Sequence, residues 1–204
     1  MSLELPTAAS GTTQPSPSTI TFEAPVIAGY GRPSSTATEA TDGTTAEATS
    51  ADEETTDATW RSRTTSCLLT AQVSSSSALL VSGADDRQLS RAAAEAALDS
   101  YDDDASNGSS EATIGTSTPY AGISTAFTAS VDGQDADGRS FTRVWGADGA
   151  SLQVTEICPA GAFDEAAWSL ALEGIEVSGV STTSTWPGGE PTPSPEASEG
   201  STAS

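Results

Sequence analysis

From Ala121 to Cys158 the chain writes out three extended segments in a row, and that run limits what the remainder can join. Ile123, Thr125, Phe127, Ala129 and Val131 alternate with small or polar neighbours, the period of two that sends one set of side chains to each face of a sheet. The stretch DGQDADG then makes a turn, RSFTRVWG resumes the extended pattern, and Asp148 and Gly149 turn the chain again into ASLQVTEIC. Strands joined by such short turns form an antiparallel meander.

Two helices flank this run. DDRQLSRAAAEAALDSY, residues 85–101, starts with Asp85 and Gln88 in a capping-box pattern, is rich in alanine, and sets Leu89, Ala93, Ala96 and Ala97 on a narrow apolar stripe. Three further aspartates disfavour a helix C-terminus, so the helix is expected to stop near Tyr101. The closing helix over 162–173 carries Phe163, Ala167, Leu170 and Ala171 at helical spacing, with Gly174 as its cap and IEV at 175–177 as a short final strand. Ahead of both helices, TITFEAPV from Thr19 offers a first strand, and a second begins at Trp60, with Cys67, Leu69, Ala71 and Val73 on one face. The fold class that follows is α+β, an antiparallel sheet flanked by two helices.

Composition divides the chain around that domain. Residues 1–17 are a Ser/Thr/Pro-rich tether, residues 18–181 form a single α+β domain, and residues 182–204 are a loose Pro/Ser/Glu tail. Inside the domain, residues 34–59 hold no Leu, Ile, Val or aromatic side chain. Such a segment cannot bury enough surface to offset its ordering entropy, which predicts a mobile acidic insertion.

Charge and missing residue types exclude much chemistry. Acidic residues number 29 against 7 basic ones, all arginine, for a net charge of -22. A phosphate backbone or an anionic membrane surface would repel this chain, which argues against nucleic acid as a partner and for a soluble monomer. Histidine and lysine are both absent, which removes Ser/His/Asp and Cys/His arrangements, imidazole zinc ligands, Schiff bases and the P-loop. DGQDADG has the texture of a calcium loop, but Gly133 and Val144 stand where ligands belong. No metal, cofactor or catalytic residue is expected, and the chain reads as a non-enzyme.

The two cysteines are Cys67 and Cys158, and Cys158 shares a face with Leu152 and Val154 just as Cys67 does with Leu69 and Val73. A pair of core-facing cysteines between export-like tethers implies one disulfide made in an oxidising compartment. Trp168 belongs to the core by its place on the closing helix, whereas Trp145 beside a turn and Trp186 in the tail are the candidates for an exposed contact surface. No run of about 18 apolar residues supplies a membrane helix. Met1 to Leu3 read as a remnant in place of an export signal, so that membrane attachment would come only through a lipid anchor upstream of this stretch.

The element order, with ITFEAP at 20–25, the hairpin RSFTRVWGADGASLQV, and LQVTEICPAGAFDEAAWSLALEGIEV at 152–177, resembles the PsbP-like fold and in particular the actinobacterial LpqN-type lipoproteins. The resemblance implies an α/β/α sandwich behind a Pro/Ser/Thr tether and carries over no active-site residues. The combined expectation is a non-catalytic, extracytoplasmic binding or accessory domain of a bacterial envelope lipoprotein, secreted or held on the outer face of the membrane. Its partner would be a protein or another envelope component. Two rivals stand beside it: a carboxylate-dependent hydrolase of cell-wall glycan, and a carrier holding an apolar ligand between sheet and helix.

Overall fold

Asp132 and Gly133 both adopt positive φ, 52° and 76°, which makes the two-residue turn whose twist matches a hairpin. The computed structural model in which this turn is seen describes residues 17–38, 54–98, 106–180 and 185–192, with Thr19, Ala28, Arg32 and Ser82 outside. Along the chain the elements are β1 (Thr21–Glu23), β2 (Ser34–Thr38), β3 (Glu54–Arg61), β4 (Leu68–Ser75), α1 (Asp86–Leu98), β5 (Ser106–Ile114), β6 (Tyr120–Val131), β7 (Gln134–Trp145), β8 (Ala150–Pro159), α2 (Glu165–Gly174) and β9 (Glu176–Ser178). Seven strands form one antiparallel sheet in the order β2-β3-β4-β8-β7-β6-β5, and β1 pairs with β9 separately. The fold is thus α+β, as expected, and the β6–β7–β8 meander is its centre.

Alternation decides which helix covers which face. Phe127 pairs with Gly138 and Gly138 with Ile157, while Phe141 pairs with Val154. Gly138 and Phe141 differ by an odd number of positions, so the two sets lie on opposite faces. Phe127 and Ile157 pack with Leu98 of α1. Phe141 and Val154 pack with Trp168, Ala171 and Leu172 of α2, together with Trp60, Leu69 and the β1–β9 pair. The two helices therefore sandwich the sheet. Each face also has one glycine lying under a ring: a Cβ on Gly138 would come within 2.2 Å of Phe127, and one on Gly122 within 2.2 Å of Phe141.

Several expectations need correction. The segment 34–59 is not one insertion, because its ends are β2 and the start of β3; residues 39–53 lie outside the described residues. Threonine favours extended backbone, and a single small side chain, Ala58, fully buried, is all that this part of β3 must place in the core before Trp60. β5, over SNGSSEATI, is a strand beyond those the alternation pattern marks. In α1 the buried positions are Asp86, Ser90, Ala94 and Leu98, one residue along from the expected stripe; Ala96 is exposed. Polar Asp86 and Ser90 are buried because each has a partner on β7 or its turn: Asp86 Oδ1 accepts from Gly146 N at 3.0 Å, and Ser90 Oγ from Val144 N at 2.9 Å. The cap itself is as expected, with Asp85 Oδ1 accepting from Arg87 N and Gln88 N, whereas the expected helix end at Tyr101 lies outside the described residues. In α2, Leu170 is 58% exposed and Leu172 is buried instead, while Trp168 is buried as expected.

Candidate functional site

The sulfurs of Cys67 and Cys158 are bonded to each other, closing a loop across 91 positions. The sheet brings them together, since Leu68 pairs with Ile157 and the cysteines stand one step outside that pair. Alternation also places Glu156 on the same face as Cys158, and Glu156 is 1% exposed. The Tyr30 hydroxyl donates to Glu156 Oε1, while Glu156 Oε2 has no hydrogen-bond partner among the described residues. Both sulfurs and a Glu156 oxygen lie within 4.8 Å of one another, but sulfurs joined in a disulfide offer no thiolate to a metal.

Burial raises the Glu156 carboxyl above its ordinary value; the Tyr30 hydrogen bond opposes this, and nearby Asp164 and Glu165 reinforce it. Burial, and then the same hydrogen bond, push the Tyr30 phenol upward as well. A carboxyl whose folded value is raised stabilises the fold at low pH, and that contribution is lost as pH climbs from the ordinary value of 4.5 through the raised one. Glu156→Gln, which cannot ionise, should escape the loss. The two proteins should converge in urea midpoint below that window. Within it, the variant should gain relative stability by up to about 1.4 kcal/mol per pH unit. A constant difference across the window would refute an ionisable, buried Glu156.

A second buried polar centre forms around Arg143, whose side chain is fully buried. Its Nη1 donates to Ala121 O at 2.8 Å, and its Nη2 donates to Asp86 Oδ2 at 3.1 Å and Glu190 Oε1 at 2.6 Å. The guanidinium carbon lies 5.3 Å from the Trp145 ring centroid and 4.5 Å from that of Trp186. Burial lowers the Arg143 value, and Glu190 and Asp86 oppose that. Glu190 Oε2 also accepts from Ala121 N at 2.9 Å, and Thr185 donates through Oγ1 to Ala84 O at 2.8 Å.

This centre corrects two expectations. Trp145 and Trp186 are 1% and 5% exposed, so neither offers a contact surface. Residues 185–192 are also not a loose tail, because a desolvated cation attracts an aromatic face and a carboxylate strongly enough to hold them. The rest of the tail, 182–184 and 193–204, lies outside the described residues, as do residues 1–16 of the tether.

A surface opening is found elsewhere, on the face that carries α1. That helix packs chiefly on β6 and β7, reaches β8 through Leu98 beside Ile157, and among the described residues leaves an opening over β4 and β8. One part of the opening, about 290 Å³, is floored by Thr70, Gln72, Gln153 and Thr155. A second, about 670 Å³, is lined by Val131, Ala136, Pro159 and Cys158 among others. The two share Leu68 and Ile157, so they are one groove with an uncharged polar end and an apolar end. No aromatic or charged side chain marks this lining along the sequence apart from Asp135, and the partly buried Leu68 and Ile157 read simply as strand residues. No known family model matches this chain, and no curated protein matches it.

Proposed function

We propose that the chain is a non-catalytic, extracytoplasmic binding domain of a bacterial envelope lipoprotein, built on a PsbP-like, LpqN-type sandwich and binding through the β4–β8 groove. The groove is the observation that carries this reading, because a volume of about 670 Å³ lies in the range of small-molecule sites. The disulfide supports an oxidising compartment. Among the described residues no helix is long and apolar enough to cross a membrane. Of the two rivals, the apolar-ligand carrier gains from the groove, though it would hold its ligand on the sheet face beside α1 rather than beneath the helix. The buried Glu156, bonded to Tyr30, does not favour the hydrolase, which needs two carboxylates facing a substrate cleft.

The test is a thermal-shift panel of soluble glycans, amphiphiles and extended peptides on the disulfide-bonded protein, repeated on Ile157→Arg. At least one class should raise the unfolding temperature of the parent, and the arginine at the groove centre should abolish the rise. A panel without any hit, or hits that the variant keeps, would remove the groove as a binding site.

A further inference from the structure

Residues 185–190, Thr-Trp-Pro-Gly-Gly-Glu, lie on the domain as a ligand lies in a site. They follow the last strand, which ends at Ser178, and hold on through directed side-chain contacts rather than a strand pairing. Gly189 N donates to Trp186 O at 3.0 Å, and Gly188 has a φ of 89°. Pro187 and Gly188 therefore fill the two central positions of a turn that each of them favours. The turn brings an indole and a carboxylate onto one cation: the Arg143 guanidinium lies 4.5 Å from the Trp186 ring centroid, and its Nη2 is 2.6 Å from Glu190 Oε1.

Recognition is not by charge alone. The Trp186 ring packs with Ala94 of α1 and with Ala121 and Ile123 of β6, in a small cluster separate from the main core. The Ala121 amide donates to Glu190 Oε2 at 2.9 Å. At the start of α1, Thr185 N donates to Asp86 Oδ2 and Asp86 N donates to Thr185 Oγ1, both at 3.3 Å. Three side chains of one short segment are thus each read by a different group of the domain.

Those receiving groups are fixed from within the domain. Arg143 Nη1 donates to Ala121 O and its Nη2 to Asp86 Oδ2, while Asp86 Oδ1 accepts from Gly146 N. Were the segment lifted away, Arg143 and Asp86 would remain a matched pair in place. A guanidinium held in this way selects a carboxylate by charge-assisted hydrogen bonds and an aromatic ring by stacking.

We propose that the crevice between α1 and β6 around Arg143 is a peptide-recognition site, filled in cis by the chain's own Thr185–Glu190. Its ligand class is a short peptide with a tryptophan and, four positions on, a carboxylate, joined through a Pro-Gly turn. A segment of that chemistry on another protein competes for the same place. The site is distinct from the β4–β8 groove, with which it shares no lining residue. A segment tethered by a short connection is present at an effective concentration in the millimolar range, so its seating in cis implies a dissociation constant for the free peptide below about 1 mM.

The test uses the full, disulfide-bonded chain carrying Trp186→Ala and Glu190→Gln, which disables the resident segment, and a dye-labelled peptide of residues 184–192 followed by fluorescence anisotropy. The variant should bind this peptide with a dissociation constant below about 1 mM, and the parent, whose site is filled, at least about tenfold more weakly. Peptides that themselves carry Trp186→Ala or Glu190→Gln should each bind the variant at least about tenfold more weakly than the unaltered peptide. No binding to the folded variant at about 1 mM peptide, equal binding to parent and variant, or equal binding of the altered peptides overturns the proposal. If circular dichroism shows the variant unfolded, the parent sequence with a specific protease site in place of residues 181–184 is cut after folding. The freed segment should then exchange with the labelled peptide while the domain keeps its dichroism. A segment that does not exchange, or a domain that unfolds as the segment leaves, makes it part of the core and overturns the proposal.

Discussion

Replacing Arg143 with methionine should lower the unfolding free energy by about 3 to 5 kcal/mol, the range for removing one partner of a buried ion pair. The side chain is fully buried between two acidic groups, with Asp86 3% and Glu190 19% exposed. Methionine fills the stem but leaves Asp86 desolvated with, among the described residues, Gly146 N and Thr185 N to hold its carboxylate. Residues 185–192, a C-terminal strap held by this centre, should come loose too, since Glu190 loses its cation and Trp186 its stacking partner. Urea denaturation gives the stability change, and Trp186 emission shifting toward that of exposed indole reports the release. A triple variant, Arg143→Met with Asp86→Asn and Glu190→Gln, should recover part of the loss, because the penalty belongs to stranded charges rather than to the missing bonds. If the single variant is as stable as the parent, this centre does not anchor the C-terminal strap.

The Cys67→Ser, Cys158→Ser double variant should lose about 4 to 5 kcal/mol in the chain-entropy picture, with less common in practice. The bond spans 91 positions and encloses β4 through β8, so its removal frees most of the central sheet to explore open states when unfolded. Against a typical total of about 5 to 15 kcal/mol, that leaves a marginal fold. Leu68 and Ile157 remain paired in the ladder, and hence the native sheet should keep its register while the urea midpoint falls. An unchanged midpoint, or free thiols in the parent by non-reducing mass spectrometry, would contradict a structural disulfide.

The parts of this fold that were legible in advance are those whose cause is local. Period-two alternation named the β6–β8 meander and put Cys67 and Cys158 on the core side, and the Asp132-Gly133 pair announced its hairpin. What stayed hidden depends on distant partners. Nothing around Trp186, set among proline, glycine and serine, signals burial; its reason is Arg143, 43 positions away by number (186 − 143). Asp86 and Ser90 look like the solvent side of α1 until the turn and strand that bond them are in place. β2, β3 and β5 lack an apolar alternation and are strands because neighbouring backbone pairs with them, which composition does not report. The groove belongs to the same class, since it depends on which strands α1 covers rather than on any motif.

The two rings seated over Gly122 and Gly138 make each of those positions half of a couple. A methyl group on either glycine evicts a phenylalanine from its berth, and a smaller residue in place of either ring leaves bare backbone beneath it. Sequence drift at the heart of the sheet is consequently constrained to paired steps, one couple per face.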